Sequence, residues 1–272
     1  MSSAVFTARS GAVLHLGRTG DGMPLLGLHG GYSSRGEIEA ILDEVLPDSP
    51  GFERWTPDLP GMGQSIGTSV DDAAEVADLL CELVDDRFGG SRFVIVGHSL
   101  GGFLARAVAA RMPERVAALA LLCPLPAELQ PEPAGVVRTD PGATDGLDER
   151  QRSEFEGYFV WHTAAMAARF RAAVAPSLDV YDDDIVDRIM QTADYEIGDA
   201  VDDIPILLLL GRRDGLLGYR SQLAQSRAWS RATVVVVEDA GHALPHEKPE
   251  LVRALLADLL ARGVDGAGTP PR

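Results

Sequence analysis

A serine with glycines two residues to either side, Gly97-His98-Ser99-Leu100-Gly101, follows the apolar run Phe93 to Val96 and precedes Phe103, Leu104, Ala107 and Val108 at helical spacing. The G-x-S-x-G spacing suits a nucleophile in a sharp strand-to-helix turn, because glycine lets the backbone bend and keeps bulk away from the hydroxyl. A serine hydroxyl attacks poorly unaided; it needs a histidine as general base and a carboxylate to orient that histidine. Asp214 ends the run ILLLLGRRD and His242 ends VVVVEDAGH, so each is expected at the carboxyl end of a strand, on the sheet edge that carries Ser99. Glu128, in a Pro-rich stretch beyond Cys123, competes with Asp214 as the acid, and His246 competes with His242 as the base. Asp214 is preferred because it directly follows a strand and a glycine turn, and His242 because Gly241 lets its loop swing back over the serine. His246, beside the helix that Lys248-Pro249 begins, is expected to pack at a helix end or meet solvent.

The elements that must position these residues alternate between short β-branched runs and longer amphipathic stretches. Ala4–Ala8 and Ala12–Leu16 read as a hairpin around Ser10-Gly11, and Leu25–Leu28 as a buried strand ending at His29-Gly30-Gly31. Further strands are expected at Phe52–Pro57, Phe93–Val96, Val116–Cys123, Ile206–Leu210 and Thr233–Val237. Helices are expected at Glu37–Leu46, after Asp71-Asp72, after Ser99, over Leu217–Trp229 and over Pro249–Leu260. Such alternation implies a mostly parallel sheet covered on both faces. Residues 126–200 break the rhythm: they open with a Pro/Gly-rich stretch, continue with an amphipathic helix over Tyr158–Val174 and hold no convincing strand, so they are expected to form a helical lid.

Composition narrows the partners. The formal net charge of −17 repels nucleic acid and anionic membranes, and the single lysine, Lys248, with dispersed arginines forms no basic arm. Without a basic leader or an apolar stretch long enough to span a bilayer, a soluble cytoplasmic enzyme is the default. Cys81 and Cys123 stand in apolar surroundings without metal spacing, and Asp182-Asp183-Asp184 reads as a solvated helix start, since adjacent carboxylates cannot all converge on one ion. No metal and no cofactor are expected, the partner is a small-molecule substrate, and residues 265–272 are expected to be disordered.

The segments LHGG, DLPGMGQS, VGHSLGG, LLLLGRRDGLLG and EDAGH, in that order, make the chain resemble the α/β-hydrolase superfamily over nearly its whole length outside the tail. That resemblance implies a sheet of about eight mostly parallel strands, a core of residues 1–125 and 201–264, and a lid at 126–200 inserted after the sixth strand. Carried onto matching positions, Ser99 would be the nucleophile, His242 the base and Asp214 its orienter. The backbone N–H groups of Leu100 and of Gly31, with Gly30 as the alternative, would form the oxyanion hole. His29 would support that loop, and His98 would be a packed support beside the nucleophile. Gly30, Trp161 and Met166 are taken as substrate-binding, the last two from an aromatic lid face running from Tyr158 to Phe170. The implied chemistry is acyl transfer from a carboxylic ester or thioester to water. Its alternatives are a C–C hydrolase of ring-cleavage products, a lactonase or amidase, and a ligand-binding receptor on the same fold.

Overall fold

The computed structural model describes residues 2–47, 51–131, 135–198, 201 and 203–265; of the expected disordered tail, all but Asp265 lies outside them. Eight strands form one sheet: β1 (Ser2–Thr7), β2 (Val13–Gly20), β3 (Gly22–Leu28), β4 (Gly51–Pro57), β5 (Phe93–His98), β6 (Val116–Leu122), β9 (Ile206–Gly211) and β10 (Ala232–Val237). Two short strands, β7 (Arg138–Thr139) and β8 (Trp161–His162), pair separately. The main order is β1-β2-β4-β3-β5-β6-β9-β10, and β2 alone runs against its neighbours. The α/β-hydrolase fold expected from the sequence is therefore present, eight-stranded and mostly parallel.

Period-two alternation splits each central strand between two cores. Leu207 and Leu209 of β9 join Val94, Val96, Ala118 and Ala120 on one face, beneath α1 (Arg35–Val45) and α9 (Pro249–Asp265). Ile206, Leu208 and Leu210 join Ile95, Leu119 and Leu121 on the other, beneath α2 (Ala73–Phe88) and α3 (Leu100–Arg111). The helix expected after Asp71-Asp72 begins at Ala73, where the Asp72 carboxylate caps the Glu75 N–H.

Between β6 and β9 stand α4 (Glu149–Tyr158), α5 (Ala164–Arg169), continued by a π turn at Phe170–Val174, and α6 (Asp183–Gln191). The continuous helix expected over Tyr158–Val174 is not formed: α4 ends at Tyr158, β8 pairs with β7, and Thr163 caps a new helix at the Met166 N–H. The break is held from far along the chain, because the Val160 N–H donates 2.7 Å to the Glu247 carboxylate. Phe155, Phe159, Ala167 and Phe170 form a small core of their own, whereas Ile185, Val186 and Ile189 of α6 pack into the principal one. Asp182 caps α6 at the Ile185 N–H, as a solvated helix start would. The helix expected over Leu217–Trp229 is shorter, α7 (Arg220–Gln225), followed by a 3-10 turn; the final helices are α8 (Leu244–Glu247) and α9. Among the described residues no helix is long and apolar enough to cross a membrane.

Candidate active site

Ser99 follows β5 directly and precedes α3, with φ 53° and ψ −121°, a left-handed conformation that β-carbon-bearing residues avoid. The turn closes because Gly101 lacks a side chain: a Cβ there would fall 2.3 Å from the Leu28 carbonyl oxygen. The Ser99 carbonyl accepts from Gly102 and Phe103, so α3 starts immediately and the Leu100 N–H sits among the first amides of a helix, which lack intrahelical partners.

Asp214 follows β9 and is 1% exposed; His242 lies in the loop after β10. The His242 Nδ1–H donates to Asp214 Oδ2 at 2.8 Å, while Asp214 Oδ1 accepts from the Leu216 and Leu217 amides at 3.0 and 2.9 Å. That leaves His242 Nε2 as the unprotonated nitrogen of the neutral ring. Burial pushes the Asp214 carboxyl up, but the imidazole and the two amides more than reverse this and leave it below its ordinary pKa. Burial also pushes the His242 ring down, and the Asp214 charge, aided by Glu37 and Glu247, carries it above its ordinary value. The two loops touch backbone to backbone, since a Cβ on Gly211 would lie 2.2 Å from the Gly241 carbonyl oxygen. Glu128, the competing acid, is exposed and accepts from Gln130.

Ser99, His242, Gly30 and Gly31 line one cavity of about 550 Å³. Gly30 faces the serine: its Cβ, if present, would lie 3.2 Å from Ser99 Cβ and 3.7 Å from Ser99 Oγ. A Cβ on Gly31 would instead approach Met190 Sδ of α6 at 3.2 Å. His29 braces this loop, its Nδ1–H donating to the Gly30 carbonyl and its Nε2 accepting from the Leu59 amide at 2.9 Å. His98 Nε2–H donates 3.2 Å to the His242 carbonyl, and burial with the neighbouring His242 brings its pKa down to about 4, so it stays neutral behind His242.

Trp161 and Met166 are not among the residues lining the cavity. The Trp161 indole N–H donates 2.6 Å to the Asp239 carbonyl, and the Lys248 ammonium sits 4.4 Å from its ring, so the side chain is spent on bracing the loop before His242. Met166 packs against the small core around Phe155. Both placements follow from the break after α4, which turns this part of the insertion away from the face that a continuous helix would have presented. The insertion instead reaches the cavity through other residues, among them Glu154, Tyr158, Val174, Leu178 and Asp183.

One buried carboxylate escaped the sequence reading, and a histidine that the reading named has a partner it did not foresee. Glu37, 3% exposed, accepts from Tyr158 Oη at 2.6 Å, from His246 Nε2 at 3.3 Å and from Ser33 Oγ. Burial alone would raise its pKa, but these hydrogen bonds and the nearby imidazoles hold it well below the usual carboxylate range. His246, expected at a helix end or in solvent, is 4% exposed and forms part of this cluster. The one available signal was spacing: Glu37 lies on the stripe of Ile41 and Val45, four and eight residues on, so a carboxylate stands on a buried face. Among the described residues the only convergence of potential metal ligands is Cys123, Asp214 and His242. Two of them already hydrogen-bond each other and burial pushes the thiol well above its ordinary pKa, so an ion would have to displace both arrangements.

A family model described as "Alpha/beta hydrolase family" matches residues 25–255. The pimeloyl-[acyl-carrier protein] methyl ester esterase of Nitrosomonas europaea is 35% identical over 42% of each chain, so the match spans under half of that relative. The esterase of the same name from Vibrio campbellii is 27% identical over 75% of this chain and 81% of its own. The crystal structure of an alpha/beta superfamily hydrolase from Oenococcus oeni superposes with a TM-score of 0.84 at 22% identity, over 96% of this chain and 99% of that one.

Proposed function

Because this chain belongs to the alpha/beta hydrolase family, we propose that it is a serine hydrolase that cleaves small carboxylic esters or thioesters through an acyl-enzyme. The observation that carries this reading is the buried 2.8 Å bond from His242 to Asp214 beside a cavity that both His242 and Ser99 line. In this mechanism Ser99 Oγ attacks the ester carbonyl while His242 Nε2 takes its proton, and Asp214 holds the ring in the required tautomer and stabilises the imidazolium. The amides of Leu100 and of the Gly30-Gly31 loop receive the developing oxyanion, whose stabilisation by such preorganised donors is worth about 3 kcal/mol per donor. The imidazolium returns the proton to the departing alkoxide or thiolate. Water, deprotonated by the same nitrogen, then releases the acid and restores Ser99.

The relatives named as methyl ester esterases support an ester bond as the target. Segment 126–200 acts as the lid in this reading, since Tyr158, Val174 and Leu178 wall the cavity above the serine. Labelling with a serine-reactive phosphonate, read by mass spectrometry at Ser99 and paired with turnover of simple alkyl esters, tests the whole scheme. Modification together with sustained turnover is expected. Labelling without turnover would favour a receptor, and the absence of both labelling and turnover would remove the serine from the mechanism.

A further inference from the structure

The cavity beside the serine has a polar end that the acyl-transfer scheme does not use. Glu37, Ser33, His98 and Tyr158 stand there with Ser99 and His242, and the cluster is built rather than incidental. A carboxylate offers about four acceptor positions, and Ser33, Tyr158 and His246 fill three at Glu37. Its only ion-pair partner among the described residues is the His246 imidazole. The other carboxyl side chains lining the cavity are Glu154 and Asp183, and among the described residues no lysine or arginine lines it.

The second observation is independent. His98 is 2% exposed, and because its Nε2–H is committed to the His242 carbonyl, its Nδ1 is a bare acceptor. That Nδ1 is buried with no hydrogen-bond partner among the described residues, which costs free energy unless something supplies a donor. It also lies close to the reaction centre: the point that a Cβ on Gly30 would occupy is 3.6 Å from His98 Nδ1 and 3.7 Å from Ser99 Oγ. A buried carboxylate with an open position and a buried imidazole lone pair both accept and neither donates. Their complement is a donor.

Resting on the serine-hydrolase reading above, we propose that Glu37 and His98 form a subsite for a hydrogen-bond-donating group, a hydroxyl or a protonated amine, carried by the ester a few bonds from its scissile carbonyl. A plain alkyl chain leaves both acceptors unmet there, and a carboxylate adds like charge to Glu37.

Rates of acid release from matched ethyl esters at neutral pH test this on the unmodified protein. For the acyl arm the probes are ethyl butyrate, ethyl 3-hydroxybutyrate, ethyl 3-aminobutyrate and monoethyl succinate; for the alcohol arm they are 2-hydroxyethyl butyrate and 2-(dimethylamino)ethyl butyrate. On one arm, kcat/KM for a donor-bearing ester is expected to exceed that for ethyl butyrate by about tenfold or more after correction for its uncatalysed rate, with the succinate monoester poorer than ethyl butyrate. A hydroxyl and an ammonium favoured alike would assign recognition to hydrogen bonding, and an ammonium favoured alone would assign it to the Glu37 charge. In Glu37→Gln the ratio of donor-bearing to plain ester is expected to collapse, whatever happens to the absolute rates. Equal kcat/KM for plain and donor-bearing esters on both arms, or an unchanged ratio in a folded Glu37→Gln enzyme, would overturn the subsite while leaving a labelled and active serine intact. Absence of both labelling and turnover would instead remove the hydrolase reading, and the subsite with it.

Discussion

Ser99 stores backbone strain that the proposed chemistry uses and the fold does not need. At φ 53° and ψ −121° its conformation costs about 1–3 kcal/mol, and only glycine adopts it freely. Ser99→Ala and Ser99→Gly should therefore lose activity alike, by at least about 10³-fold. The glycine variant should nevertheless be more stable than the alanine one, by roughly 1 kcal/mol once glycine's extra unfolded-state entropy is subtracted, and so melt at a higher temperature; equal melting temperatures would deny the strain. The proposed base carries a second signature. In the proposed mechanism His242 must be neutral to act, and Asp214 holds its pKa above the ordinary imidazole value, so kcat/KM should rise with pH along a limb lying above that of a free imidazole. Asp214→Asn removes the charge that raises this pKa and leaves the burial that lowers it, so the residual activity should show its limb at more acidic pH. A limb that stayed in place would assign the titration to another group. These residues were legible because each sits in a short run whose neighbours announce a strand end. Glu37 was not, since its partners Tyr158 and His246 lie 121 and 209 residues away, and only its place on the stripe of Ile41 and Val45 hinted at burial.

At the scale of elements, the strands were readable where short apolar runs stop at a turn: β5 and the leucine-rich β9 are buried throughout, and the valine run of β10 is half-buried along most of its length. The stretch after Tyr158 was misread because Phe159, Trp161, His162, Met166 and Phe170 mimic an amphipathic helix, while the carboxylate that stabilises its break arrives from Glu247 in α8. The insertion also divides physically in a way that composition did not show. α4 and α5 surround their own small core, whereas α6 plugs the principal one with Ile185, Val186 and Ile189. Replacing residues 140–176 by a short Gly/Ser linker should leave a cooperatively folding protein whose Ser99 still reacts with a small phosphonate but whose KM for esters has changed. Removing 183–191 should unfold it, because losing three buried aliphatic side chains, at about 2–5 kcal/mol each, removes an amount comparable to the whole stability of a typical domain. Circular dichroism melts of the two deletions decide the matter, and a folded second variant would refute this division.

Over the whole molecule, a net charge of −17 surrounds a cavity whose described lining carries the carboxyl groups of Glu37, Glu154 and Asp183 and no lysine or arginine. Such a field concentrates cations and repels anions until salt screens it, the Debye length falling from about 30 Å at 0.01 M to under 10 Å above 0.1 M. kcat/KM for 2-(dimethylamino)ethyl butyrate should therefore fall several-fold between about 10 mM and about 500 mM NaCl, that for monoethyl succinate should rise, and that for ethyl butyrate should stay level. Parallel slopes for all three would show that the field does not reach the cavity. The contacts of Gly101 with the Leu28 carbonyl and of Gly211 with the Gly241 carbonyl have a further consequence, for motion. They join the Ser99 turn to the loop that follows β3, and the end of β9 to the loop that carries His242, with no flexible side chain between. Amide hydrogen exchange should register the difference: protons of β5, β9 and the start of α3 should be replaced only when the whole domain opens, whereas those of α4 and α5, around their separate small core, should be replaced far sooner. The breathing that admits a substrate can then recur many times within one lifetime of the machinery beneath it, without ever taking that machinery apart.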